Sequence, residues 1–262
     1  MNKIIEAAED PGVPVRLETV CRVRLGDLWR RGVLTGHHWR LYLNSAPGAG
    51  VLIGGKRREL LPERIYLLPP FCNLRTWCDN PDVLQLYIHF EMPRFGGGPD
   101  FVCHELELTP ELRLPAERLA VLVGGDSRRL ALNAAALVCA ALAKLPEHLL
   151  VERGRDREIE HAVETMRGSL GSPLGVEALA RSAGMNVNCF IKRFRLATGS
   201  TPYRYLSDLR YACAARLLGD GELPIDEIGL EIGIADRFHF SREFKRRYGL
   251  PPAAYRAARR RR

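Results

Sequence analysis

The chain has 262 residues, enough for two hydrophobic cores, with 46% hydrophobic and 27% charged residues and a net charge of +8. No apolar run approaches a membrane span and Met1–Glu6 lacks a signal-peptide core, which argues against a membrane or secreted protein. The charge is uneven: residues 155–262 hold 20 of the 39 Lys+Arg and 13 of the 31 Asp+Glu, net +7, which leaves net +1 for residues 1–154. A positive excess confined to one half suits a phosphate-bearing partner of that half. Seven cysteines, an odd number without a Cys-x-x-Cys pair, imply free thiols in a reducing cytoplasm, so a cytoplasmic location is expected.

Residues 13–108 read as β structure. Val15–Glu18 and His38–Asn44 alternate, Val51–Ile53 and Arg57–Leu61 flank the hairpin signal Gly54-Gly55, and Arg64–Leu68 runs into Pro69-Pro70. Val83–Phe90 alternates again, and Phe101–Leu108 closes the series. Many short strands with turns between them predict a barrel or jelly roll. On the His38–Asn44 strand, Trp39, Leu41 and Leu43 share one face; His38, Arg40, Tyr42 and Asn44 share the other. On the later strand, Leu84, Leu86, Ile88 and Phe90 oppose Val83, Gln85, Tyr87 and His89. The polar faces read either as solvent faces, common in antiparallel sheets, or as a pocket for a small polar ligand. Solvent faces favour Lys, Glu and Thr. His38, Arg40, Tyr42, Asn44, Gln85, Tyr87 and His89 instead supply aromatic planes and hydrogen-bonding groups suited to a sugar-like effector.

A metal site is not expected. His37 and His38 are adjacent, which on a strand points them to opposite sides, and there is no His-x-His. No zinc-binding cysteine spacing, cofactor motif or catalytic constellation is present, so no enzymatic reaction is expected. From Ser127 to Leu145 the chain becomes a helix whose apolar stripe includes Leu130, Leu137, Val138 and Leu142. That stripe fits packing against the barrel or a dimer seam. Pro146-Glu147-His148 breaks the helix, Glu152–Arg157 is a charged linker, and Ile159, Ala162, Val163, Met166 and Leu170 mark a further amphipathic helix. The boundaries predicted are 1–151 for the first domain, with the barrel about 13–108 and helices about 115–150, and 152–262 for the second.

The second domain contains one pattern twice, 50 residues apart: Phe194-x4-Gly199-x2-Pro202-x2-Tyr205 and Phe244-x4-Gly249-x2-Pro252-x2-Tyr255. A short helix pair precedes each copy. In the first, Val176–Ser182 is followed by a turn at Gly184, a cap at Asn186 and a buried Phe190/Phe194 pair. In the second, Ile225–Ile232 is followed by Gly233, a cap at Asp236 and a Phe240/Phe244 pair. Small Ala180 and Gly229 allow close crossing, and the turn glycines supply positive φ. Thr201-Pro202 starts the connecting helix.

Leu174–Arg256 resembles the DNA-binding module of the AraC family (AraC/XylS type) of bacterial transcription regulators. The matching residues include Leu179-Ala180, Gly184, Phe194, Gly199, Pro202, Tyr205, Arg210, Ile228, Gly233, Asp236, Phe240-Ser241-Arg242, Gly249, Pro252 and Tyr255. Gly175, Asn186, Lys192 and Gly229 depart mildly from the family pattern. The resemblance implies an α+β chain: a cupin-like, effector-binding β-barrel with dimerisation helices, then an all-α domain with two helix-turn-helix units. It implies sequence-specific major-groove recognition, an activator, and a homodimer whose seam would use Leu130, Leu137, Val138 and Leu142. The candidate DNA-contacting residues are Asn188, Ile191, Lys192 and Arg195 after the first turn. After the second they are Arg237, Phe238, His239, Ser241, Arg242, Lys245 and Arg247. Double-stranded DNA and a small sugar-like molecule are the expected partners, with RNA polymerase a further candidate. The rival readings are a regulator with a purely structural barrel, and a metal-dependent cupin enzyme carried on a DNA-binding domain.

Overall fold

The computed structural model describes residues 15–260 except 31, 35, 73, 93–94, 98–101, 123–126, 153–155 and 222. Residues 153–155 of the Glu152–Arg157 linker and 261–262 of the Arg259–Arg262 tail lie outside the described residues. Its strands are β1 (Arg16–Arg24), β2 (Val33–Leu34), β3 (Trp39–Asn44), β4 (Ala49–Ile53), β5 (Lys56–Glu59), β6 (Arg64–Leu68), β7 (Leu74–Cys78), β8 (Leu84–Glu91), β9 (Phe95–Gly97), β10 (His104–Glu107) and β11 (Leu150–Glu152). One sheet has the order β1-β8-β3-β6-β10, the second β2-β7-β4-β5, and β9 pairs with β11. The helices of this half are α1 (Gly26–Arg30), α2 (Pro110–Leu122) and α3 (Ser127–Leu142). Among the described residues no helix is long and apolar enough to cross a membrane.

The five-stranded sheet is covered on both faces. Trp39, Leu41, Ile65, Leu67, Leu86, Ile88 and Phe90 pack on α2 and α3. The opposite face, with Tyr42, Tyr66, Leu68 and Tyr87, packs toward Ala49, Val51, Leu74 and Cys78 of the second sheet. The polar sides of β3 and β8 are therefore interior. Register joins them in pairs: Arg40 faces His89, Tyr42 faces Tyr87 and Asn44 faces Gln85.

Two sequence expectations change here. Leu137, Val138 and Leu142 are buried within the chain's own core, and Leu130 packs partly against it. A side chain filling the core of one chain cannot also face a second copy, so this stripe is not a dimer seam. The strand at Leu74–Cys78 was not predicted; Leu-Arg-Thr-Trp-Cys alternates weakly, and pairing with β2 and β4 supplies what the pattern lacks.

The second half contains α4 (Arg157–Gly168), α5 (Val176–Ser182), α6 (Val187–Thr198), α7 (Pro202–Asp220), α8 (Ile225–Glu231), α9 (Arg237–Tyr248) and α10 (Pro252–Arg260). It has two small cores. Ile159, Met166, Leu179, Phe190, Phe194 and Tyr205 form the first; Tyr211, Leu218, Ile228, Ile232, Phe240 and Phe244 form the second. Helix α7 contributes to both. At 19 residues it rises about 28 Å and spaces the two units.

Candidate nucleic-acid interface, barrel cavity and domain junction

Each helix-turn-helix unit is set by local chemistry. Asn186 accepts from the Cys189 amide at 2.9 Å, and Asp236 accepts from the Phe238 and His239 amides at 2.9 and 3.0 Å. Gly184 and Gly233 turn at φ 64° and 73°. Gly199 and Gly249 cap α6 and α9 in the left-handed region. A Cβ at Gly229 would lie 2.9 Å from the Ile234 carbonyl, so only glycine fits that crossing as it stands. Arg210 of α7 donates to the Leu170 and Ser172 carbonyls at 3.0 and 2.8 Å, beside Gly233, and so ties the connecting helix to the start of the first unit and the turn of the second.

On α6, Asn188, Lys192 and Arg195 are exposed and Ile191 is half-buried. On α9, Arg237, Phe238, Arg242 and Lys245 are exposed, with His239 and Ser241 half-buried. Phe238 is 83% exposed, which no packing role explains. Arg237 pairs with Asp226 at 3.3 Å. Arg247 departs from expectation. It is buried, ion-paired with Asp208, donates to Ser207 Oγ at 2.8 Å and stacks 4.8 Å over the Tyr211 ring. It holds α9 to α7 and is not placed to meet a phosphate.

In the first half, a cavity of about 410 Å³ is lined by His38, Arg40, Tyr42, Gln85, Tyr87 and His89, six of the seven residues expected on the ligand face. The seventh, Asn44, donates to the Leu60 carbonyl at 3.0 Å and accepts from Gln85 at 3.0 Å; it braces the wall instead of lining the space. Arg40 donates to the His38 carbonyl at 3.1 Å, and the His38 ring stacks on His89 at 4.2 Å. The cavity is not closed by the barrel alone. Ala212, Ala215 and Arg216 of α7, with Tyr248 and Tyr255, also line it.

Beside this cavity an ionic cluster joins the two halves. Glu18 and Glu91 come from β1 and β8, His37 from the bend before β3, Arg167 from α4 and Tyr205 from α7. His37 Nε2 lies 2.9 Å from Glu18 Oε1 and 3.1 Å from Glu91 Oε1. Arg167 pairs with Glu91, approaches Glu18 to 3.6 Å, and donates to Tyr205 Oη at 3.2 Å. Burial disfavours the His37 charge, but Glu18 and Glu91 outweigh it and lift its pKa to about 9. Burial would raise Glu18; His37 and Arg167 overcome it and hold the carboxyl near 2. Burial, reinforced by Arg40, keeps His38 well below the usual imidazole range. Phe71 adds an apolar contact: its ring lies 6.3 Å from Tyr205 and 5.4 Å under the Arg204 guanidinium. It holds φ 60°, the left-handed conformation that glycine would take without strain.

Sequence reading missed this cluster. A register shift between Leu17 and Thr19 in the β1–β8 ladder interrupts the alternation at Glu18, as a β-bulge does. His37 and His38 were expected on opposite sides, but β3 starts at Trp39, so strand alternation does not govern them and both turn toward Glu18. The one readable signal was Glu91, an acid at the end of the alternating Val83–Phe90 run.

Residues 179–258 match the family described as a helix-turn-helix domain. This C-terminal region is a helix-turn-helix domain of the AraC type. It is similar to the MmsAB operon regulatory protein of Pseudomonas aeruginosa, 33% identical over 91 residues, 35% of this chain and 30% of that protein. It is also similar to the transcriptional activator RhaS of Escherichia fergusonii, 26% identical over 151 residues, 57% of this chain and 54% of that protein. The matches thus span about half or less of these relatives. Over nearly the whole chain the fold is that of ToxT from Vibrio cholerae, with a TM-score of 0.66 at 12% identity over 93% of this chain and 97% of that one. The likeness extends over both the β-rich half and the helical half, and at this identity it carries the fold alone and nothing about ligand or target.

Proposed function

We propose that the chain is a transcription regulator that reads DNA with α6 and α9 and takes a small polar, sugar-like effector in the barrel cavity. The observation that carries the DNA reading is the double presentation: two capped helices, each burying a Phe pair and exposing polar, cationic side chains. Asn188 suits adenine, Arg242 suits guanine, and the exposed Phe238 ring suits a thymine methyl. Helix α7 would set the two readers in successive major grooves, roughly 34 Å apart. Activation is the sense proposed, after the activator RhaS. RNA polymerase is a proposed partner of the bound regulator. A homodimer remains part of the reading, with its contact sought among exposed apolar residues such as Leu114, Val121 and Leu132 of α2 and α3.

The test is a binding-site selection on the full chain. A two-part motif is expected, and Asn188→Ala and Arg242→Ala should each relax one part, about ten base pairs apart. Failure to enrich any sequence overturns the reading. For the effector, a thermal-shift screen of sugars and small hydroxy acids separates a sensing barrel from a structural one: a ligand should raise the melting temperature in wild type and not in Tyr87→Ala.

A further inference from the structure

We propose that Glu18, His37 and His38, with Glu91 as a fourth ligand, form a binding site for a divalent transition-metal ion at the junction of the barrel and the helical domain. The ligand atoms of the first three lie within 4.8 Å of one another, and all three side chains are substantially buried. His37 Nε2 stands 2.9 Å from one Glu18 oxygen, His38 Nδ1 stands 3.3 Å from the other, and Glu91 Oε1 is 3.1 Å from His37 Nε2. Two imidazoles and two carboxylates make a donor set for zinc and its first-row neighbours. Calcium and magnesium, which take oxygen ligands, suit it poorly.

A second observation is independent of this clustering. The His38 side chain is only 9% exposed, yet its Nδ1 has no hydrogen-bond partner among the described residues. It lies close to a Glu18 oxygen, but the two do not meet in hydrogen-bond geometry. A buried nitrogen left unsatisfied beside a carboxylate is costly. The arrangement is accounted for if both groups aim at a common ion between them instead of at each other. The rings are also held in place: His38 stacks on His89 at 4.2 Å, and His37 packs against Tyr205 at 5.3 Å. Such prior fixing favours coordination, because little ordering is left for the ion to impose.

The same carboxylates hold Arg167 of α4. Ion and guanidinium therefore compete for Glu18 and Glu91, and an ion bound here draws those carboxylates away from α4. This would make the site a metal-responsive element of the domain junction. Its existence does not depend on what the helical domain binds.

The experiment uses the full chain, stripped with a chelator and kept reduced, since its seven free cysteines are alternative ligands. Zn²⁺ is titrated against a chromophoric chelator, and Co²⁺ serves as the spectroscopic probe. The expected result is one equivalent bound, with Co²⁺ d–d bands and no thiolate charge-transfer absorption. Glu18→Gln and His38→Ala should each weaken binding by at least about 10–100-fold. Arg167→Ala should bind the ion more tightly, because a competing cation is gone. A thiolate spectrum, no stoichiometric binding, or full affinity in His38→Ala overturns the site. Weaker binding by Arg167→Ala overturns the competition. Should a variant fail to fold, the wild-type Co²⁺ spectrum decides alone. None of these readouts involves DNA, so failure of the regulator reading and failure of the metal site are separable.

Discussion

Replacing Arg247 by alanine separates a structural cation from a DNA-contacting one. The Asp208 side chain is 1% exposed, and its ion-pair partners are Arg247 and, more distantly, Arg204 at 3.9 Å. Removing Arg247 leaves a buried carboxylate with only that distant ion-pair partner among the described residues, and breaking such a pair costs about 3–5 kcal/mol. The lost stacking on Tyr211 adds about 0.5–2 kcal/mol. Arg204 can recover part of this by closing on Asp208, so a loss of about 3 kcal/mol is expected. Against a typical stability of about 5–15 kcal/mol, that is a large share. Urea unfolding followed by circular dichroism measures it, with DNA titrations across a salt series on the same protein. The double variant Arg247→Leu, Asp208→Leu should regain most of the stability, because no charge is left stranded. Lys245→Ala is the contrast: its exposed side chain should change stability by less than about 0.5 kcal/mol, while the salt slope falls by about one. If Arg247→Ala unfolds at the wild-type midpoint and lowers the salt slope as Lys245→Ala does, the buried-pair reasoning is wrong.

Leu137→Ala should destabilise the barrel domain by about 3–5 kcal/mol, and Leu137→Glu should unfold it without yielding a folded monomer; sedimentation and circular dichroism together check this. Asn188→Ala and Arg242→Ala should each cost about 1–3 kcal/mol of discrimination at separate parts of the selected motif, read from binding to single-base variants of the site. Arg40→Ala and Tyr87→Ala should abolish any effector-induced thermal shift while leaving effector-free DNA affinity within about twofold, since both line the cavity and neither belongs to the exposed faces of α6 and α9.

The helical half was legible because its determinants are local. Caps, turn glycines and Phe pairs all act within about a dozen residues, and tertiary packing only had to agree with them. The misreading of Arg247 was avoidable. Positions 240, 244 and 247 fall on one stripe of a helix, so the periodicity that buries Phe240 and Phe244 also buries Arg247. What the periodicity could not supply was Asp208, 39 residues away, which makes the burial tolerable. In the barrel, alternation separated the two faces of β3 and β8 correctly but could not say what covers each. Helices on one side and a second sheet on the other turned a polar face into an interior. The same limit governed the α3 stripe: an apolar stripe says that a face is buried, not against what. Glu18, His37 and His38 escaped because a ladder irregularity and a bend broke the alternation there, and such breaks arise from pairing between distant strands.

The helix that spaces the two readers is also the helix the barrel grips. Tyr205, in the first turn of α7, lies against His37 and within hydrogen-bonding distance of Glu91, and Ala212, Ala215 and Arg216 further along it line the cavity. Helix α9 touches β2, and α10 touches α1. Yet Asn188, Arg242 and Lys245 stay exposed in this docked arrangement, so the barrel does not inhibit DNA binding by covering them. On the proposed reading, an effector would therefore act on how firmly α7 and the two units it carries are held. A ligand with equal affinity for docked and released arrangements shifts nothing, however tightly it binds. Each tenfold preference is worth about 1.4 kcal/mol of bias. A molecule that fits within the cavity gains contacts with α7 only in the docked arrangement and stabilises it. One too large for the space can bind only by displacing α7, and it biases the chain the other way. Two ligands of one chemical class but different size should thus move DNA affinity in opposite directions, and ligands that both move it the same way would show that α7 is not the element being shifted.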